Sequence, residues 1–345
     1  MEASYISTAS LRNQPRLEVN RLQSELSDRV SELATGRHAD VGLTLGSETG
    51  RMIALRNDMS MIDTLLRSNG TASARLKLIQ TALADVGTNT SDVLATVIAL
   101  PPGSQSAELL ELEGLSALDR LADRLNASDG GSYIFGGINT GTRPFNRFDE
   151  GPQAAVEAAF LAKFGVNVGD PGAASITPAD MADFLANEFT ALFDDPSWGT
   201  DWSSASSTDI ESRIAVSERA ITGTNANEAA VRTVARGFAM IAGLGIGALS
   251  EQTRDTLINE ARLVLGQAIS DVTLLQGEIG FSENAIARAN ERMIIARDLL
   301  AVSIAEAEGA DPAEAKVRVD LLTTQLEMSF ALTGQLARLS ILNYA

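Results

Sequence analysis

From Ile258 to Ala307 every seventh residue is apolar: Ile258, Leu265, Val272, Ile279, Ile286, Met293, Leu300 and Ala307. Three positions after each of the first seven comes a second series of small or apolar side chains: Ala261, Ala268, Leu275, Ser282, Ala289, Ala296 and Ser303. A seven-residue repeat with alternating steps of three and four is the seam of a coiled coil. Roughly fifty residues of helix at 1.5 Å per residue extend about 75 Å, far beyond the width of a globular core. The chain is therefore expected to build a rod.

The rest of the sequence supplies neighbours for that helix. Val19, Leu22, Leu26, Val30 and Leu33 recur at steps of three and four over 17–33, and Gly36 is placed to end that helix in a left-handed conformation. Residues 37–47 read as a loop. Met52, Leu55, Met59, Ile62 and Leu66 open a second seam, weakened at Asn69, Ser73 and Gln80 and recovered through Leu76, Leu83, Leu94 and Val97 until Pro101-Pro102-Gly103 stops it. A third helix over about 106–128 carries Leu109, Leu112, Leu115, Leu118, Leu121 and Leu125. Short connections predict antiparallel packing.

Beyond Asp149 the character changes. Gly, Pro, Ser and Asp rise, both tryptophans fall in 194–202, and residues 209–222 alternate like a strand. Residues 146–224 are expected to form a small α/β insert, with helix returning near Asn227. The uncharged run Gly237–Leu249 is too short to span a membrane and reads as a buried helix. At the end of the long seam, Gly309 is a stop, Asp311 an N-cap, Pro312 the first helical position and Glu314 completes a capping-box spacing. The last helix keeps the repeat through Leu321, Gln325, Met328, Leu332, Gln335, Leu339 and Leu342, flanked by Leu322, Leu326, Phe330 and Leu336. That apolar face is too broad for one partner helix.

The expected architecture is mainly α: an elongated antiparallel helical rod, built like a coiled-coil bundle from N- and C-terminal helices, with the α/β insert at its tip. Five segments follow: a terminal assembly segment 1–47, rod helices 48–145, the insert 146–224, rod helices 225–308 and an assembly helix 309–345. The apolar stripes on the two ends make Leu22, Leu26, Leu33, Leu326, Leu332, Leu336, Leu339 and Leu342 the candidate assembly interface, with other protein chains as partners.

Composition removes most chemistry. A formal charge of −18, with 27 Lys and Arg against 45 Asp and Glu, argues against nucleic acid, because each phosphate contact wants a cation. The chain has no cysteine and one histidine, so thiolate and His-based metal sites and nucleophile triads have no material. "GLGIG" at 243–247 lacks dinucleotide-fingerprint spacing and suits helix packing on glycine. His38 beside Asp40 reads as a solvated loop histidine, and Asp194-Asp195 as a turn pair before Pro196. No enzyme, cofactor, metal or membrane insertion is expected, and 1–20 has neither the basic nor the apolar region of a secretory signal.

One stretch interrupts the helices: "SYIFGGINTGTRPF", 132–145. Tyr133 and Phe135 are expected on one face of a short strand packed on the rod, with the glycines allowing the tight turn by which the chain leaves the third helix.

Three segments carry a family resemblance. "STASLRNQPRLEVNRLQSELSDRVSELATGRHAD" at the start and "TQLEMSFALTGQLARLSILNYA" at the end resemble the terminal helices of the bacterial flagellin superfamily. Gly131, Tyr133, Ile134, Phe135, Gly137, Thr140, Pro144 and Phe145 are similar to a joint pattern of the hook–filament junction proteins, the hook-associated protein 3 family. Both ends are shared with flagellin, so only the joint motif, Gly131, Tyr133, Phe135, Gly137, Pro144 and Phe145, separates the two. After Arg37 the sequence departs from the family, where "HADVGLTLG" replaces the usual Asp-Asp-Pro type loop.

The resemblance implies an extracellular structural adaptor joining hook to filament, exported through the flagellar type III channel without a cleaved signal. Its implied partners are hook-associated protein 1, flagellin, copies of itself in a ring-like layer and an export chaperone that masks the C-terminal helix. Three other readings stay open: a filament flagellin, a cytoplasmic coiled-coil scaffold, and a monomeric bundle whose termini complete its own core.

Overall fold

The computed structural model describes the backbone of residues 8–99 and 104–342. The chain is mainly α and divides into two compact units, Met1–Asp63 with Ile294–Ala345, and Thr64–Met293. The expected Pro101-Pro102-Gly103 stop lies outside the described residues.

In the first unit, α1 (Thr8–Thr35) ends as expected at Gly36, whose φ of +67° belongs to the left-handed region and whose N–H closes on Glu32 O at 2.8 Å. The expected loop 37–47 contains a short helix, α2 (Val41–Leu45), because the Asp40 side chain caps it through Leu43 N at 2.8 Å. Leu22, on α1, is buried against Leu322 and Leu326 of α9 (Pro312–Leu342), with Val19 and Leu26 at the margin. Asp311 caps α9 through Ala313 N at 2.8 Å, but Glu314 does not close a capping box. It reaches forward to Arg318 at 2.7 Å, one turn on.

In the second unit the long seam holds. Along α8 (Glu251–Glu308, 58 residues), Ala261, Leu265, Ala268, Val272, Leu275, Ile279, Ile286 and Ala289 are all buried. Facing them, α3 (Thr49–Ala99, 51 residues) buries Leu76, Ile79, Leu83, Val86, Val93 and Val97. The weak positions of the α3 seam are specific joints. Asn69 is fully buried and donates to Ile214 O at 2.8 Å and Asn290 Oδ1 at 2.7 Å, while Gln80 donates to Gln276 O at 2.7 Å. A polar group fixed this way costs packing energy and sets the register of the helices.

Helix α4 (Ser104–Leu125) corrects the sequence reading. Leu118, Leu121 and Leu125 are buried, but Leu109, Leu112 and Leu115 face solvent, and the inner face begins instead with Ala107, Leu110, Gly114 and Ala117. Gly114 is needed where α7 (Ala229–Ala242) crosses: a Cβ there would lie 2.9 Å from Ala242 N and 3.1 Å from Ile241 Cγ2. The run Gly237–Leu249 is mostly buried yet not one helix, since α7 stops at Ala242 and Gly245, at φ +58°, turns the chain so close to Gly169 that a Cβ on Gly245 would lie 2.6 Å from Gly169 N.

Residues 146–224 share one buried apolar cluster with α3, α4, α7 and α8. They comprise α5 (Pro152–Phe164), α6 (Pro178–Phe184), short helical turns and a hairpin. The hairpin, β3 (Glu211–Ala215) with β4 (Glu218–Ile221), replaces the single strand expected over 209–222, because Val216-Ser217 turns the chain back. Among the described residues it is the second of two hairpins in the unit. The first is the joint.

Candidate functional site: the joint and the terminal stripes

The joint starts from Asn126, just past α4. Its Oδ1 accepts from Phe145 N at 3.1 Å and its Nδ2 donates to Phe145 O at 2.9 Å, so one amide side chain does what a neighbouring strand would do. The chain then reverses through β1 (Ser128–Asp129) and β2 (Ser132–Tyr133) around Gly130 and Gly131, at φ +56° and +89°. Such a turn needs two left-handed residues.

Tyr133 and Phe135 do not share a strand face, because β2 ends at Tyr133. Tyr133 is half-buried, while Ile134 and Phe135 both go into the core. Extension stops there because the backbone turns onto other segments: Phe135 O accepts from Ala226 N at 2.8 Å, Gly136 O from Ser206 N at 3.1 Å, and Thr208 O takes Ile138 N at 3.0 Å. Gly137, at φ +59°, sits so close to that return segment that a Cβ would lie 2.3 Å from Ser206 O.

Pro144 and Phe145 close the other side. Pro144 O accepts from Ser204 N and Ser203 Oγ, each at 3.0 Å, and Asn146 N donates to Trp202 O at 2.8 Å. The fully buried Phe145 ring meets Trp198 and Trp202 at 5.8 and 5.9 Å, and the two indoles stack at 5.6 Å. Arg232 covers the Trp198 ring at 5.2 Å and also pairs with Asp195 at 3.1 Å. The acidic turn pair thus has a cationic partner that its sequence context did not reveal.

The joint motif, Gly131, Tyr133, Phe135, Gly137, Pro144 and Phe145, is accordingly one knot. It ties the chain's departure from α4 at 126–146 to its return at 202–208 and 225–226. Of the glycines in 243–247, Gly243 serves packing, with Phe148 and Val156 carbons about 3.1–3.2 Å from where its Cβ would be.

The stripe residues separate into two sets. Leu22, Leu26 and Leu326 pack α1 against α9, whereas Leu33 and Leu332 are exposed, the latter by 60%. Val317, Leu321, Met328 and Phe330 on α9 are each more than half exposed as well. The side chains of Leu336, Leu339 and Leu342 lie outside the described residues.

His38 is not a solvated loop residue. Its Nδ1 is 3.6 Å from Glu32 Oε1 in an ionic cluster that the sequence did not announce. Among the described residues no group of three or more His, Cys, Asp or Glu side chains converges on a metal position, and no helix is long and apolar enough to cross a membrane.

Comparison with known proteins bears on this arrangement at both ends of the chain. The family model of the bacterial flagellin N-terminal helical region matches residues 6–140, and that of the flagellin C-terminal helical region matches 263–345. The chain belongs to the bacterial flagellin family. Members of that family are structural subunits, so the chain is a structural component of the flagellum, outside the cell, that assembles with other axial proteins.

No curated protein sequence matches the chain. Among solved structures it resembles a provisionally named flagellar hook-associated protein from Vibrio parahaemolyticus. The identity is 11% and the TM-score 0.52, over 76% of this chain and 97% of the other. At that identity the likeness is one of fold.

Proposed function

We propose that this flagellin-family chain is the adaptor between hook and filament. The observation that carries the reading is the joint. The Gly131 to Phe145 pattern that resembles the junction proteins is the element that ties exit and return of residues 146–224 together. The likeness in fold to a hook-associated protein supports the same placement. In this role the chain forms a ring-like layer with copies of itself, seated on hook-associated protein 1 and capped by flagellin. An export chaperone covers the α9 stripe before secretion through the type III channel.

The assembly interface comprises the exposed Leu33 and Leu332, together with Leu336, Leu339 and Leu342 of the sequence repeat. Leu22, Leu26 and Leu326 hold α1 to α9 so that the set is presented. An adaptor needs two unlike surfaces, because strong self-stacking would compete with flagellin for the upper one. Deleting the gene should therefore leave hooks intact and flagellin secreted but unpolymerised. Long filaments grown from the purified protein alone would show instead that it is a filament flagellin.

A further inference from the structure

In the first unit the turn after α1 meets the turn between α8 and α9. Arg37 and Gly309 form an isolated antiparallel bridge, His38 N donates to Glu308 O at 3.0 Å and Ala310 N to Gly36 O at 3.0 Å. Two carboxylates with under a tenth of their side chains exposed stand behind this bridge. Glu308 accepts from Arg37 and from Arg56, Nη2 at 2.5 Å. Glu32 accepts from Arg29 Nη1 at 2.5 Å and from Ala39 N at 3.2 Å, and faces His38 Nδ1.

Glu32 thus reaches forward from the last turn of α1 to residues 38–39. By holding Ala39 N–H it fixes the course of the chain just past Gly36, which is the strand of the bridge. A buried carboxylate that loses its charge also loses its ion pair and the preference of its N–H donors. We propose that Glu32 is an acid-operated latch, whose protonation releases residues 36–39 from 308–310 and opens the bridge between the N- and C-terminal segments.

The other charged groups around the bridge are Asp28 on α1, Asp40 in the turn, Arg56 on α3, and Asp311, Glu314 and Arg318 at the start of α9. Burial pushes the Glu32 carboxyl up, but the Arg29 ion pair, the Ala39 N–H and His38 together outweigh it and hold it below the usual glutamate value. A carboxyl lowered in the folded state contributes stability above its unfolded pKa of about 4.3 and loses it as pH falls through the lower folded value. The latch is therefore shut at neutral pH.

The chain has no cysteine, so spin labels at Ala34→Cys and Ala313→Cys, two exposed positions flanking the bridge, report its separation uniquely. In the full-length protein, double electron–electron resonance should give one narrow distance at pH 7. Below the glutamate range it should give a broad, longer distribution, with the emission of the buried Trp198 and Trp202 unchanged. Glu32→Gln should show the broad distribution already at pH 7, and His38→Gln should keep the acid transition. The inference is overturned if Glu32→Gln stays closed at pH 7, if the bridge opens only together with a shift in tryptophan emission, or if His38→Gln abolishes the transition.

Discussion

Two glycines of the joint separate what conformation costs from what proximity costs. Gly130 and Gly137 have nearly the same φ, +56° and +59°, but Gly130 has open space where a Cβ would go. At Gly137 the added carbon would lie 2.3 Å from Ser206 O and 2.7 Å from Thr208 O. Both are backbone atoms, so no rotamer relieves the clash, and reaching an ordinary C···O separation of about 3.3 Å requires a shift of about 1 Å. That shift breaks the bonds Ser206 N to Gly136 O and Ile138 N to Thr208 O.

Gly130→Ala should cost about 1–2 kcal/mol for a side chain in a left-handed conformation. Gly137→Ala should cost that plus about 1 kcal/mol for each of the two bonds, about 3–4 kcal/mol in all. Urea unfolding followed by the fluorescence of Trp198 and Trp202, which sit inside the joint, measures both on the same probe. Equal losses for the two variants would refute the idea that the joint is tied to the returning segment through Gly137.

Phe135→Ala removes a fully buried ring and should destabilise the second unit by about 3–5 kcal/mol in the same assay; loss of partner binding at unchanged stability would make the joint a contact site instead. Asn69→Ala strands the buried Ile214 carbonyl and should cost about 1–3 kcal/mol by thermal unfolding. Leu332→Asp, at an exposed position, should change monomer stability by less than about 0.5 kcal/mol yet block assembly and swimming, since a carboxylate becomes costly only where packing removes its water. Glu228 is pushed up by burial, with Asp209 and Glu278 adding to it. Its ionised form therefore destabilises the fold above the raised pKa, so Glu228→Gln should be more stable than the parent at pH 7, with the difference vanishing as pH falls below the ordinary glutamate range.

The seam of α8 was legible because a heptad repeat is a local signal, repeated often enough that no single neighbour decides it. The leucine series Leu109 to Leu125 of α4 misled for a geometric reason. At 100° per residue, steps of three lag by 60° each, so Leu109 and Leu118 point to opposite sides of the helix. The inner face begins instead with Ala107, Leu110, Gly114 and Ala117, and of these Gly114 matters because α7 comes close. Asn69 and Gln80 looked like weaknesses of the α3 seam, since their partners lie more than a hundred residues away. Phe135 parted from Tyr133 because Ala226 and Ser206, distant in sequence, claim the backbone just past β2. His38 and Glu32 likewise share a site only once the chain has turned at Gly36.

The central claim is position on the organelle. Flagella isolated with their hooks, labelled with antibody against this chain and viewed by electron microscopy, should show label confined to the boundary between hook and filament. Label running along the whole filament would contradict the account and make the protein a filament subunit.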